Sequence, residues 1–169
     1  MRNLLEQIQA ALEANLYYVG LMVTLTVPDI CGAIGSDTGV ARHWKYVQWF
    51  DKYLAARYSS GSGQVITGED CYAFRCSLLH QGTSQSPKSR YGRVFFVEPR
   101  DSRATMHCNV HNDALNIDLR IFCEDIIAGA MQWLDEVEGT PTFERNYNKF
   151  MRRYPNGLAP FVVGFPVIG

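Results

Sequence analysis

The sequence predicts a mainly α fold, a helical bundle of about five helices with an inserted β-hairpin, and three observations predict it. Apolar residues recur at steps of three and four through several long segments. Helix-start and helix-stop chemistry brackets those segments. Two short runs rich in Val and Phe or Thr and Val, "RVFFVE" at 93–98 and "ATMHCNV" at 104–110, flank a turn at Pro99 and Asp101 and read as strands, which places the hairpin near 91–112. With 169 residues, 47% of them hydrophobic, the chain is expected to form one domain over 1–169.

Taken in order, Leu5, Ile8, Leu12, Leu16, Val19 and Val23 fall on one helical face, and Pro28 is expected to end that first helix. "CGAIGSDTG" at 31–39 reads as a glycine-rich turn region. Val47, Phe50, Leu54 and Tyr58 restore the helical step through a segment heavy in aromatics: Trp44, Tyr46, Trp49, Phe50 and Tyr53 point to core and dimer packing. After the connector "SSGSGQ", Thr67 is placed to cap a third helix from about Gly68 to His80, with Asp70 closing a capping-box pair and Gly82 free to adopt the left-handed stop. Beyond the hairpin, Leu119, Phe122, Ile126, Ala130, Trp133 and Val137 define a long helix capped by Asp118 and stopped at 139–141. A shorter helix around "FERNYNKFMRRY" follows, and the apolar tail "LAPFVVGFPVIG" is expected to pack on the core or on a second copy.

The formal net charge of −1 excludes a protein that coats nucleic acid by bulk electrostatics, so a polyanion contact must be local. Five cysteines, odd in number and without a CxxC pair, fit reduced thiols in a cytoplasmic protein. Arg2, Glu6 and Gln7 break any signal-peptide stretch, no bilayer-spanning window is expected, and no membrane partner is expected either. Phosphate-cradling glycine loops, nucleophile elbows and dinucleotide fingerprints are all missing from the sequence, and no cofactor is expected.

The chemistry concentrates in "ITGEDCYAFRCSLLHQG", residues 66–82. Cys71, Phe74 and Leu78 make the core stripe of this helix, and Arg75 and His80 lie off it. Five positions separate the two by about 140° around the helix, which predicts a shared pocket and not a hydrogen-bonded pair. An ordinary ion pair of Arg75 with Glu69, Asp70 or an acid elsewhere, and a macrodipole-favoured His80 at the helix end, is the structural alternative.

An arginine, four intervening residues and a histidine near the end of a helix in a small helical domain resembles the motif of HEPN domains, with the coarse helical order extending the likeness over roughly residues 1–140. Many HEPN domains are metal-independent ribonucleases of toxin–antitoxin, abortive-infection and CRISPR systems. The resemblance implies an RNA-cleaving toxin or defence effector, a HEPN-type endoribonuclease, working through Arg75 and His80 at a homodimer interface. His80 of one chain would then act beside Arg75 of the other, and an antitoxin would be a partner. It implies equally a catalytically silent relative that binds nucleotide, RNA or protein. Cys76 stands where the family commonly has a polar residue such as asparagine, and Gly82 stands where some members carry a tyrosine modified by a partner enzyme.

The imidazole of His80 could accept the proton of a ribose 2′-hydroxyl, while the permanently charged Arg75 could meet the phosphate with parallel donors. Lys88, Arg90, Arg93, Arg100 and Arg103, set against only Glu98 and Asp101, form a basic loop that could hold an RNA backbone; Cys76, Lys88, Arg90 and Arg93 are the expected substrate-binding residues. A rival zinc set would draw on Cys76, His80, His107 and His111, but their spacings match no recognised zinc motif, and no metal is expected.

Overall fold

Leu5, Ile8 and Leu12 are buried along one face of α1 (Arg2–Glu13), as their spacing requires. The computed structural model describes residues 1–60, 63–85, 89–100 and 105–169. The chain is mainly α-helical, with short strands.

The single first helix expected from 3 to 27 is in fact two, and a third begins at Val27. Asn15 takes a left-handed conformation (φ 58°) and ends α1, a role its short polar side chain tolerates. In α2 (Tyr17–Thr24) the buried residues are Gly20, Leu21 and Thr24, whereas Leu16 and Val19, expected on the core stripe, are exposed. Pro28 begins α3 (Val27–Ile34) instead of ending a helix: it lies in the first turn, where its missing N–H has no intrahelical partner to lose. The run Tyr17–Ile34, with a mean hydropathy of 1.4, has the length and composition of a membrane span, contrary to the sequence expectation. It breaks near Leu25 and Thr26, and it contributes Leu21, Leu25, Val27, Cys31 and Ile34 to the core.

The aromatics of α4 (His43–Tyr53) divide as the helical step dictates. Tyr46, Trp49, Phe50 and Tyr53 are buried and Trp44 is exposed. The Tyr46 hydroxyl donates to the Leu25 carbonyl at 3.2 Å, which ties α4 to the turn before α3. A 3₁₀ turn at Ala55–Tyr58 leads into a minimal antiparallel pair, β1 (Ser59–Ser60) and β2 (Gly63–Gln64), inside the segment expected to be a plain connector.

Helix α5 (Gly68–Gln81) carries both expected caps. Thr67 Oγ1 accepts from the Asp70 N–H while the Asp70 carboxylate accepts from the Thr67 N–H, and Gly82 closes the helix at φ 63°. Its N-terminus presses on α4: a Cβ at Gly68 would sit 2.6 Å from the Val47 carbonyl oxygen. Only glycine permits that approach.

The expected hairpin is a different object. β3 (Arg93–Val97) pairs in parallel with β5 (Ala114–Asp118), and β4 (Asn109–His111) pairs antiparallel with β5, giving the order β3-β5-β4. The tight hairpin turns at Asn112 and Asp113, both with positive φ, as a two-residue connection between strands demands. Residues 105–108 are not strand, and 101–104 lie outside the described residues.

Asp118 ends β5 and caps α6 (Leu119–Val137), its carboxylate accepting from the Ile121 N–H at 2.9 Å. Phe122, Cys123, Ile126 and Ala130 of α6 are wholly buried. This helix packs against α1, α2, α3 and α4. Thr140 caps α7 (Pro141–Tyr147), so the expected stop at 139–141 is also a start. Asn146 of α7 donates to the carbonyls of Ile34 and Ser36, fastening α7 to the end of α3.

The tail does not pack on the core. β6 (Arg153–Tyr154) pairs with β9 (Val167–Ile168), and β7 (Gly157–Leu158) pairs with β8 (Val162–Val163), making a ribbon that leaves Phe161, Val163 and Phe165 exposed.

Candidate functional site

α5 positions the arginine and histidine, and a neighbouring helix holds the arginine still. Arg75 Nε donates to Asp29 Oδ2 at 2.7 Å, an ion pair between α5 and the first turn of α3 with both side chains mostly shielded. From that anchor Nη1 reaches His80 Nε2 at 2.8 Å. The angular separation on the helix pointed to a pocket without a direct bond; the length of the arginine side chain closes the gap instead. An arginine has only donors, so in this contact Nε2 is the acceptor and the ring proton sits on Nδ1. The pair forms within one chain.

Burial pushes the Asp29 carboxyl above its ordinary value, with the Arg75 charge pulling the other way. For Arg75, burial works against the charge, but Asp29 and the Cys76 thiol outweigh it and raise the guanidinium. Cys76 lies 3.9 Å from Arg75 Nη1, a sulfur contact where a carboxamide would bond firmly. Tyr72, three residues before Arg75, puts its ring 5.8 Å from the guanidinium carbon. Burial first, and then the Cys76 thiol, raise its phenol.

The polar surface continues onto α4. His43 stacks obliquely on Tyr72 with centroids 4.5 Å apart, and its Nε2 meets Glu69 at 2.7 Å. The result is a strip of His43, Tyr72, Arg75 and His80 along one side of α5, with Asp29 behind it. Such a strip offers a flat ring for stacking, a fixed cation for a phosphate, and imidazole groups for proton transfer.

The basic loop contributes less than its composition implies. Arg90 is drawn to the other end of α5, where its Nε lies 3.0 and 3.2 Å from the two Asp70 carboxylate oxygens and its Nη2 donates to the Val65 carbonyl. Asp70 is about 15 Å from His80 along the helix axis, and at that end Arg90 braces the capping box. Burial raises the Asp70 carboxyl, yet the bonds from Arg90 and Thr67 prevail and hold it below its ordinary value. Arg93 is exposed at the start of β3, and the Gln85 carboxamide, with its oxygen turned inward, accepts from it at 3.1 and 3.2 Å. That places Arg93 beside the segment that follows the C-terminal end of α5. Lys88 and Arg103 lie outside the described residues.

The zinc alternative is not assembled: among the described residues no three His, Cys, Asp or Glu side chains come together as a metal site. Sequence reasoning missed Asp29 as the anchor, and His43 and Glu69 as neighbours. Tyr72 was findable, since a residue three before Arg75 shares its side of the helix. Asp29 was not, because nothing local links two helices.

Comparison with known proteins gives no match from any family model, curated protein or solved structure.

Proposed function

We propose that the chain is a HEPN-like helical bundle acting as a metal-independent, RNA-cleaving toxin or defence effector, with Arg75 and His80 as the reacting pair. The observation that carries this reading is the 2.8 Å contact between Arg75 Nη1 and His80 Nε2, anchored by Asp29. A phosphate entering beside Arg75 competes for Nη1, because a charge-assisted bond to a phosphate oxygen is stronger than one to a neutral imidazole. Losing that donor frees the Nε2 lone pair. His80 then takes the proton of the 2′-hydroxyl, the oxygen attacks the adjacent phosphorus as the phosphorus–O5′ bond breaks, and the departing 5′-oxygen takes a proton from the His80 imidazolium, leaving a 2′,3′-cyclic phosphate and a 5′-hydroxyl; Arg75 offsets the charge that builds on the phosphoryl oxygens. Arg93, beside the segment that follows α5, lends a second cation to the backbone. A cytoplasmic homodimer, with one such strip on each chain, and an antitoxin partner belong to the same proposal.

A second reading, a silent HEPN-like module that binds nucleotide, RNA or protein, is favoured by one observation. Asp29 already neutralises Arg75, and Cys76 supplies no strong hydrogen-bonding group beside it. Expression in cells separates the two: growth inhibition relieved by His80→Ala supports the nuclease, and no inhibition by either form supports the module.

A further inference from the structure

A concave feature shares no lining residue with the strip. The start of α1, α3, the residues after α7 and the base of the tail ribbon enclose a cleft of about 590 Å³, large enough for an organic ligand. Leu4, Ile30 and Phe150 give it an apolar wall, and Arg152 and Arg153 line it together with no acidic side chain.

Arg152 is held but not neutralised. Its guanidinium carbon stands 5.2 Å from the Tyr147 ring and 5.7 Å from the Tyr154 ring. Its Nε is buried and has no hydrogen-bond partner, and it meets no carboxylate among the described residues. The Met1 amine enters the same cleft and donates to the Tyr147 hydroxyl. Burial first, and then the Arg152 charge, push that amine below its ordinary value. Buried donors in folded proteins are ordinarily satisfied. An anion with an apolar body would meet the outer nitrogens of the Arg152 guanidinium, which form no ion pair among the described residues, and cover the wall at once.

We propose that this cleft binds a small amphiphilic anion, with its carboxylate or phosphate on Arg152 and Arg153 and its alkyl or aryl body against Leu4, Ile30 and Phe150. The site is independent of the Arg75–His80 strip, and either can stand without the other.

Calorimetric titration of the full chain with octanoate, octyl phosphate and 1-octanol near neutral pH tests it. At least one of the two anions is expected to bind about tenfold or more tightly than the uncharged alcohol, the worth of a charge-assisted bond. The tighter of the two identifies the head group. Arg152→Gln, with its helical circular dichroism unchanged, removes that preference, whereas Ile30→Ser weakens all three. The wild-type comparison decides the matter even where Arg152→Gln fails to fold. Equal binding of alcohol and anions, no binding by any of the three, or a dimer whose second copy fills the cleft and is not displaced by octanoate would overturn the proposal.

Discussion

Arg75 and His80, five residues apart on α5, touch through Nη1 and Nε2 at 2.8 Å, while the same arginine is pinned by Asp29 from α3. The pair is thus a product of tertiary structure as much as of helix spacing. Asp29 sets where the guanidinium sits, and the guanidinium sets which nitrogen of His80 accepts.

Replacing Asp29 separates positioning from folding. Burial of this carboxyl opposes its charge, so Asp29→Asn removes a desolvation cost together with an ion pair, and stability is expected to change by only about 1 kcal/mol in urea unfolding. RNA cleavage is expected to fall about tenfold or more, because Arg75 loses its anchor. Unfolding of the variant, or unchanged cleavage, would show that Asp29 has the opposite balance of roles.

Asp70 is the structural acid. It closes the capping box and holds Arg90 from a buried position, so Asp70→Ala is expected to destabilise the fold by about 2–4 kcal/mol, measured by denaturant midpoint. Its folded pKa lies below the unfolded value of about 3.8, so its contribution is present above that value and is lost as pH falls through the lower folded one. Asp70→Asn should therefore flatten the acid limb of the stability profile below about pH 4.

Gly68 tests the α4–α5 contact. A methyl group there meets the Val47 carbonyl oxygen at 2.6 Å and the Val47 Cα at 2.8 Å, both backbone atoms that cannot swing aside. Gly68→Ala is expected to cost about 1–3 kcal/mol by overpacking, although alanine is the better helix former.

Features with local chemistry were legible in the sequence. Thr67, Asp70 and Gly82 bound α5 because capping depends on residues a few positions apart, and Asp118 caps α6 for the same reason. Non-local features were not. The pairing of Arg93–Val97 with Ala114–Asp118 spans a crossover, and β5 is buried at every position, so it lacks the alternation that marks a half-exposed strand. The break at Asn15 was hidden because the apolar spacing runs on through Leu16 and Val19, which the structure exposes. In the candidate site, Arg75 and His80 were readable from spacing, whereas Asp29 lies 46 positions from its arginine and the commitment of Arg90 to Asp70 could not be read from charge counting.

The tail offers a test of what its exposed rings do. Phe161 and Phe165 are 82% and 71% exposed, so changing both to serine is expected to shift stability by less than about 0.5 kcal/mol. A second copy packed on the ribbon predicts that the same change lowers the mass seen by light scattering. A strong loss of stability in the monomer would mean that the tail is part of the core after all.

The most direct measurement is cleavage of end-labelled RNA by purified protein in excess EDTA, comparing wild type with Arg75→Ala and His80→Ala, each confirmed to be folded. The wild type is expected to cleave, with a loss of about a hundredfold or more in each variant. Wild-type protein that leaves every RNA intact, or variants that cut as fast as wild type, would contradict it.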